Sequence, residues 1–259
     1  MPELPEVETV VRTVAPRVVG RRIRAVQAAS RFVAPRPLEG AVGQAIRAVE
    51  RSAKHILFVL DAGLLCIHLG MTGKLLVNAP PGPHTRVVFE LAGCRLVYDD
   101  PRQFGRIEYV RELPERIRRL GPDAHRISLE EFRARLAARR SRIKPLLLDQ
   151  RFLGGLGNIY TDEALFRARI HPLAPASRLG RARVERLHRA IVEVLGEAIE
   201  KGGSSISDYV DAEGRAGFFQ TEHRVYGRAG EPCTACGTAI RRIEVAQRGT
   251  HYCPRCQRP

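Results

Sequence analysis

The chain has 259 residues, enough for a buried core and for more than one domain, and its 43 Lys+Arg against 28 Asp+Glu give a formal net charge of +15. The cations are mostly arginines spread through every region, which excludes a basic tail as their source and implies a polyanionic partner, most simply nucleic acid. No apolar run reaches membrane-spanning length and no signal peptide is visible, so a soluble, cytoplasmic protein with no membrane partner is expected.

The chain opens Met-Pro-Glu-Leu-Pro-Glu. Removal of Met1 would leave Pro2 with a free secondary amine, and an α-amino group titrates near pH ~8. Leu4, Val7, Val11 and Val14 recur at helical spacing, which puts the Pro2 nitrogen near a helix N-terminus, where the dipole disfavours the ammonium form. Glu3 and Glu6 are three apart and so share a helical face beside that amine. A nucleophilic amine with an adjacent carboxylate is the minimum kit for imine chemistry. Proline and glutamate in a first turn also make an ordinary helix start. The placing of Pro2, where it can become the terminus, is what favours chemistry.

Residues 21–110 read as strands. Arg22–Ala29 and Ala45–Ser52 alternate. His55–Leu60, Leu64–Leu69 and Lys74–Asn78 are short apolar runs parted by Asp-Ala-Gly and Gly-Met-Thr-Gly. Arg86–Leu91, Arg95–Asp99 and Arg106–Val110 complete the set. Short strands with Gly-bearing turns predict an antiparallel sandwich or barrel. Gly121-Pro122 then breaks the pattern. Ser128 with Glu131 is a capping-box signature for a helix to about Arg140. Further helices are expected over Lys144–Gln150, over Asn158–Arg169 after a Gly-rich turn, and over Arg181–Lys201 with Gly202-Gly203 as stop. Residues 204–222 are polar and Gly-bearing around Phe218-Phe219 and read as a mobile loop more than core.

Cys66 and Cys94 lie in apolar runs and read as core residues. The other four, Cys233, Cys236, Cys253 and Cys256, form two CxxC pairs, the spacing of a four-thiolate structural zinc site with no position left open for catalysis. Between the pairs, Ile240–Ala246 and Thr250–Tyr252 predict a hairpin with Gln247-Arg248-Gly249 at its tip, an arginine suited to grip a phosphate.

The N-terminal Met-Pro-Glu-Leu-Pro-Glu-Val-Glu-Thr, His68-Leu-Gly-Met-Thr-Gly73, Asp100-Pro-Arg-Gln-Phe-Gly105, Gly155-Leu-Gly-Asn-Ile-Tyr160 and the cysteine pairs, in this order from Pro2 to Gln257, closely resemble the formamidopyrimidine-DNA glycosylases. The resemblance implies an α+β multidomain protein. Its parts would be an antiparallel β-sandwich with a leading helix (1–115), a helix-two-turn-helix domain (125–222) and a four-cysteine zinc finger hairpin holding one structural zinc ion (223–259). It implies a bifunctional DNA repair enzyme, a glycosylase and abasic-site lyase for oxidised purines, working as a monomer on damaged double-stranded DNA.

It also implies roles. Pro2 would attack the sugar C1′ and hold the sugar as a Schiff base, Glu3 would be the general acid/base at the ring oxygen, and Glu6 would support it. Lys54 would assist β-elimination and bind phosphate, Arg248 would grip phosphate and serve δ-elimination, and Asn158 would bind phosphate at a helix N-terminus. Met71, Arg102 and Phe104 would fill the gap left by a flipped-out nucleotide, which the chemistry requires because C1′ cannot be reached inside the stack. Read singly, Met71 and Phe104 fit core packing equally well. His84, Arg139 and Lys144 match further basic DNA contacts. The 204–222 stretch resembles a loop that closes over a flipped purine, with Gly214 and Gly217 giving it freedom. One departure is visible: Gln103 stands where the family usually has a second Arg, which puts a secondary contact in doubt.

Two other readings are open. An endonuclease VIII-type glycosylase for oxidised pyrimidines usually begins Met-Pro-Glu-Gly-Pro-Glu, and Leu4 argues against it. A non-catalytic zinc-ribbon DNA-binding protein would use the charge and the finger equally well, and Pro2 with Glu3 argues against that.

Overall fold

The computed structural model describes residues 1–206 and 208–258. The chain divides into two units, Met1–Arg119 with Ile199–Gln220, and Leu120–Ala198 with Thr221–Pro259.

In the first unit, helix α1 (Leu4–Val18) precedes eight strands: β1 (Ile23–Ala28), β2 (Ile46–Ser52), β3 (His55–Leu60), β4 (Leu64–His68), β5 (Lys74–Val77), β6 (Thr85–Leu91), β7 (Cys94–Asp99) and β8 (Arg106–Val110). A short helix, α2 (Glu115–Arg118), follows. The strands form two antiparallel four-stranded sheets, ordered β1-β6-β7-β5 and β2-β3-β4-β8. Alternation sends Val87, Phe89 and Leu91 of β6 and Leu96 and Tyr98 of β7 into one core with Ile46, Phe58, Leu65, Ile67 and Ile107 of the other sheet. The α1 stripe Val7, Val10, Val11, Val14 and Val18 joins the same core, against β2, β3 and β5. All eight expected strands are present to within a residue or so, as a sandwich. Cys66 is buried as expected, but Cys94 is only half-buried at the first position of β7, against the rim of the core.

The second unit is helical, then a hairpin. α3 (Leu129–Ala137) starts at Ser128, whose Oγ accepts the Glu131 N–H at 3.1 Å. The Glu131 carboxylate turns to Arg135 instead of back to the cap, so only half of the capping box is formed. α4 (Ile143–Leu148), α5 (Asn158–Arg167) and α6 (Arg181–Glu200) follow. Each ends one or two residues before the sequence suggested, α3 about three. The Gly121-Pro122 break runs alongside the Gly-rich turn, where Gly154 N–H bonds Pro122 O and Ala124 N–H bonds Gly154 O. β9 (Arg241–Val245) and β10 (Arg248–Tyr252) pair antiparallel, and a small core of Val225, Cys233, Ile240 and Cys253 packs on Phe166 of α5.

Two expectations change here. The hairpin tip is Ala246-Gln247, both at left-handed φ (50° and 59°), the geometry of a tight two-residue turn; Arg248 is therefore the first residue of β10, not the tip. The 204–222 stretch carries core: Ala212 and Phe219 are fully buried. Val77 N–H bonds Ala212 O and Ala212 N–H bonds Thr13 Oγ1, so residues through Gln220 group with the first unit and not with the helices before them. Ser207, part of that stretch, lies outside the described residues.

Candidate active site and nucleic-acid contacts

Glu3 is the N-cap of α1, in extended backbone (φ −101°), rather than a helical neighbour of Glu6. Its carboxylate accepts the Glu6 N–H, and Glu6 Oε2 accepts the Glu3 N–H at 2.7 Å, a capping box built from two glutamates. Glu6 Oε1 accepts the Ser204 N–H at 2.8 Å. Glu6 is thus a brace between the chain start and residue 204. The preceding Gly203 (φ 82°) must be glycine, since a Cβ there would lie 2.7 Å from Glu6 Oε1. Pro2, Glu3 and Glu6 are all buried. With Met1 in place the Pro2 nitrogen is an amide; its removal would place an amine next to the Glu3 cap.

Lys54 sits in the β2–β3 turn and is 6 % exposed. Arg51 fixes this turn, donating to Glu8 of α1 at 2.8 Å and to the Ala53 carbonyl at 3.2 Å. Burial alone would raise the Glu8 carboxyl, but Arg51 and Arg12 outweigh it and hold it below its ordinary value. The His55 and His68 rings, 4.9 Å apart across β3 and β4, are both pushed down to about 4, by burial first, so both are neutral near pH 7. The Lys54 ammonium is one of the charges holding His68 neutral.

Met71 and Phe104 are exposed by 43 % and 56 %, which removes the core-packing reading for both. Arg102 lies over the Phe104 ring at 4.6 Å. The two turns are tied by Asp100, fully buried, whose Oδ1 accepts from Thr72 Oγ1 at 2.6 Å and Oδ2 from the Gly105 N–H at 2.8 Å. Gly70 lets the backbones touch: a Cβ there would meet the Phe104 carbonyl carbon at 2.5 Å. Asp100 N–H bonds the carbonyl of the exposed His84 at 2.9 Å. Gln103, at φ 55°, accepts from Ser30 Oγ at 2.5 Å.

In the second unit, Asn158 opens α5 behind a Gly157 N-cap that has no side chain to offer the helix end. Asn158 Nδ2 donates to the Gly249 carbonyl of β10 at 2.8 Å, which holds the strand that begins with the exposed Arg248. Lys144 is fully buried. Its Nζ pairs with Asp162 Oδ1 at 2.6 Å and donates to the same Gly249 carbonyl at 3.3 Å, so it braces the hairpin from within and offers no ammonium to solvent. The other Asp162 oxygen accepts the His251 N–H at 2.8 Å. Arg139 is exposed, 6.0 Å from the Phe152 ring.

The four finger sulfurs lie within 4.8 Å of one another, with Sγ pairs at 3.9 Å (Cys233–Cys256) and 3.5 Å (Cys236–Cys253). A tetrahedral zinc thiolate site needs sulfurs about 3.8 Å apart, so the four residues fit one zinc ion.

Sequence reasoning missed Asp100, Asp162 and the Gly203–Ser204 contact. Asp162 carried a readable signal, a carboxylate inside an apolar helical stretch beside Glu163. That Glu163 is also buried, and it accepts the N–H groups of Arg224, Val225 and Tyr226.

Three family models match the chain: the formamidopyrimidine-DNA glycosylase N-terminal domain over residues 1–107, the H2TH domain of the same enzymes over 120–210, and a zinc finger found in FPG and IleRS over 230–259. A formamidopyrimidine-DNA glycosylase of Solibacter usitatus is 55 % identical over the full length of both chains. The crystal structure of the MutM (Fpg) protein of Thermus thermophilus superposes with a TM-score of 0.92 at 46 % identity, covering 99 % of this chain and 98 % of that one. A complex of Lactococcus lactis Fpg with DNA containing an abasic site gives 0.90 at 37 % identity, covering 99 % and 100 %.

Proposed function

This chain belongs to the formamidopyrimidine-DNA glycosylase family, and from that premise we propose that it excises oxidised purines, 8-oxoguanine and formamidopyrimidines, from duplex DNA and then nicks the strand at the abasic site. The observation that carries the reading is the buried Glu3 cap beside Pro2, with Glu6 committed to bracing it.

With Met1 removed, the Pro2 nitrogen attacks C1′ of the flipped nucleotide. The glycosidic C1′–N bond breaks, the base departs with a proton, and the sugar ring opens to an iminium on Pro2. Glu3, set at the amine by its cap geometry, exchanges the proton at the ring oxygen. The iminium acidifies C2′. Loss of that proton expels the 3′ phosphate, with Lys54 near the sugar as base and phosphate partner, and a second elimination expels the 5′ phosphate, assisted by Arg248. Met71, Arg102 and Phe104 occupy the emptied stack, Met71 and Phe104 from turns locked by Asp100. His84, Arg139 and Asn158 hold phosphates, and Lys144 serves by fixing the Arg248 strand. Cys233, Cys236, Cys253 and Cys256 hold the zinc ion, which staples the hairpin and supplies no reaction step. The 204–220 segment, joined to Glu6 at its root, covers the flipped base. No helix among the described residues is long and apolar enough to cross a membrane, and we place the enzyme in the cytoplasm as a monomer on DNA. We read 1–115 as the catalytic sandwich and 223–259 as the zinc finger, and within 125–222 we end the helix-two-turn-helix part near Ala198, because Ile199–Gln220 groups with the first unit.

Borohydride with a duplex bearing an abasic site gives a covalent adduct that peptide mapping puts on the Pro2 nitrogen, and blocking removal of Met1 abolishes it. An adduct on an internal lysine overturns the assignment. Preference for thymine glycol over 8-oxoguanine transfers the protein to the endonuclease VIII type.

A further inference from the structure

Two exposed phenylalanines of the first unit carry a guanidinium over the ring. One is Phe104 under Arg102. The other is Phe32, 69 % exposed, with Arg31 at 5.7 Å from its centroid. Single exposed aromatics are common on protein surfaces. What sets Phe32 apart is how its turn is built and what it is tied to.

The turn is closed at both ends. Ser30 O accepts the Ala34 N–H at 2.9 Å, Ser30 Oγ accepts the Val33 N–H at 3.4 Å, and Val33 O accepts the Ile107 N–H at 2.8 Å. Val33 and Ala34 are buried in the sandwich core, so Arg31 and Phe32 stand out from a pre-formed support that loses little freedom on binding. The same Ser30 hydroxyl donates to Gln103, which lies between Arg102 and Phe104. On the strand side, Ala29 N–H bonds Arg86 O, and Arg86 Nε bonds the carbonyl of Asp100, the residue that ties the Met71 and Phe104 turns together. The Arg31–Phe32 turn is therefore part of one hydrogen-bonded frame with both wedge residues, and Arg31 and Arg36 give it positive charge.

We propose that the Arg31–Phe32 turn is a further duplex-contacting element, with Arg31 on a backbone phosphate beside the lesion and Phe32 packed on the neighbouring deoxyribose. The occupant is duplex DNA because the turn is cationic, exposed and continuous with the wedge turns. Gln103, the residue that departs from the family pattern, spends its side chain on fixing this second aromatic turn. The inference rests on the DNA-glycosylase reading above.

The test measures binding of Arg31→Ala, Phe32→Ala and Ser30→Ala proteins to a duplex with a tetrahydrofuran abasic analogue over a salt series, with thermal unfolding and sedimentation alongside. Arg31→Ala lowers the salt slope by about 1, as loss of one phosphate contact requires. Phe32→Ala weakens binding roughly 3–10-fold at every salt concentration, as loss of part of a buried aromatic contact implies, with the slope unchanged. Ser30→Ala gives a smaller loss, and the unfolding midpoints of the Arg31 and Phe32 variants stay at wild type. If both of those variants bind like wild type while wild type still traps on abasic DNA, this inference falls and the glycosylase reading stands. Failure of wild type to trap overturns that reading itself. A change in sedimentation of the free variants makes the turn a self-association surface and refutes the proposal.

Discussion

The chain start in the first unit and the Arg248 strand in the second are each held by one buried carboxylate with both oxygens engaged, but the two are neutralised differently. Both Glu6 carboxylate oxygens accept backbone N–H groups, from Glu3 and Ser204. Asp162 is satisfied by the buried Lys144 ammonium and one backbone N–H, from His251. A backbone N–H left without its acceptor costs about 1–3 kcal/mol. A buried ammonium without its partner is a bare charge in a poor solvent. The phosphate-gripping strand therefore depends on its carboxylate through a buried ion pair, and the chain start through hydrogen bonds to backbone N–H groups.

The largest effect follows from removing the outer support of the second corner. The finger core among the described residues is four side chains on Phe166, too small to fold alone. Structural zinc in such fingers supplies on the order of 10 kcal/mol. Cys233→Ser, or a strong chelator, therefore unfolds 223–258 while the sandwich melts unchanged, and the DNA affinity falls. Native protein holding no zinc by metal analysis would break the assignment.

Next in size is the contrast itself. Asp162→Asn strands the Lys144 charge and costs about 3–5 kcal/mol in the second unit, and adding Lys144→Met recovers most of it. Glu6→Gln sets an amide N–H₂ against a backbone donor and costs about 1–3 kcal/mol in the first. Denaturant unfolding of the three variants measures this. Equal losses for Asp162→Asn and Glu6→Gln, or no rescue by Lys144→Met, would erase the distinction.

Much of this was legible in the residues. Strand alternation and Gly-bearing turns placed all eight strands, and the cysteine spacing named the metal, because both signals are local. What was hidden depends on partners far along the chain. Lys144 reads as a surface cation until Asp162, eighteen residues on, is seen to pair with it. The 204–222 stretch reads as a mobile loop because the backbone N–H groups that anchor it leave no trace in side-chain type. The hairpin tip was misplaced by one strand start because Ala246-Gln247 adopts a turn usually signalled by Asn-Gly. Glu3 and Glu6 pair as expected, but as cap and brace, not as neighbours on one helical face.

The smallest effect tests whether the second corner is held by its ion pair or by its neutral contacts. Asn158 donates one bond to Gly249 O, while its Oδ1 is buried with no partner among the described residues. Asn158→Ala removes a bond worth about 1 kcal/mol and, in the same step, an acceptor whose burial costs about as much, so stability changes by less than about 1 kcal/mol. The Gly249 carbonyl keeps Lys144 as donor. DNA binding should respond more than stability. If Asn158 lends its second amide hydrogen to a phosphate at the α5 N-terminus, the variant binds abasic duplex several-fold more weakly with an unchanged salt slope, because a neutral donor releases no counterion. A drop in slope would mean that Asn158 acts by positioning Arg248 instead. A stability loss as large as that of Asp162→Asn would mean that the ion pair is not what holds this corner.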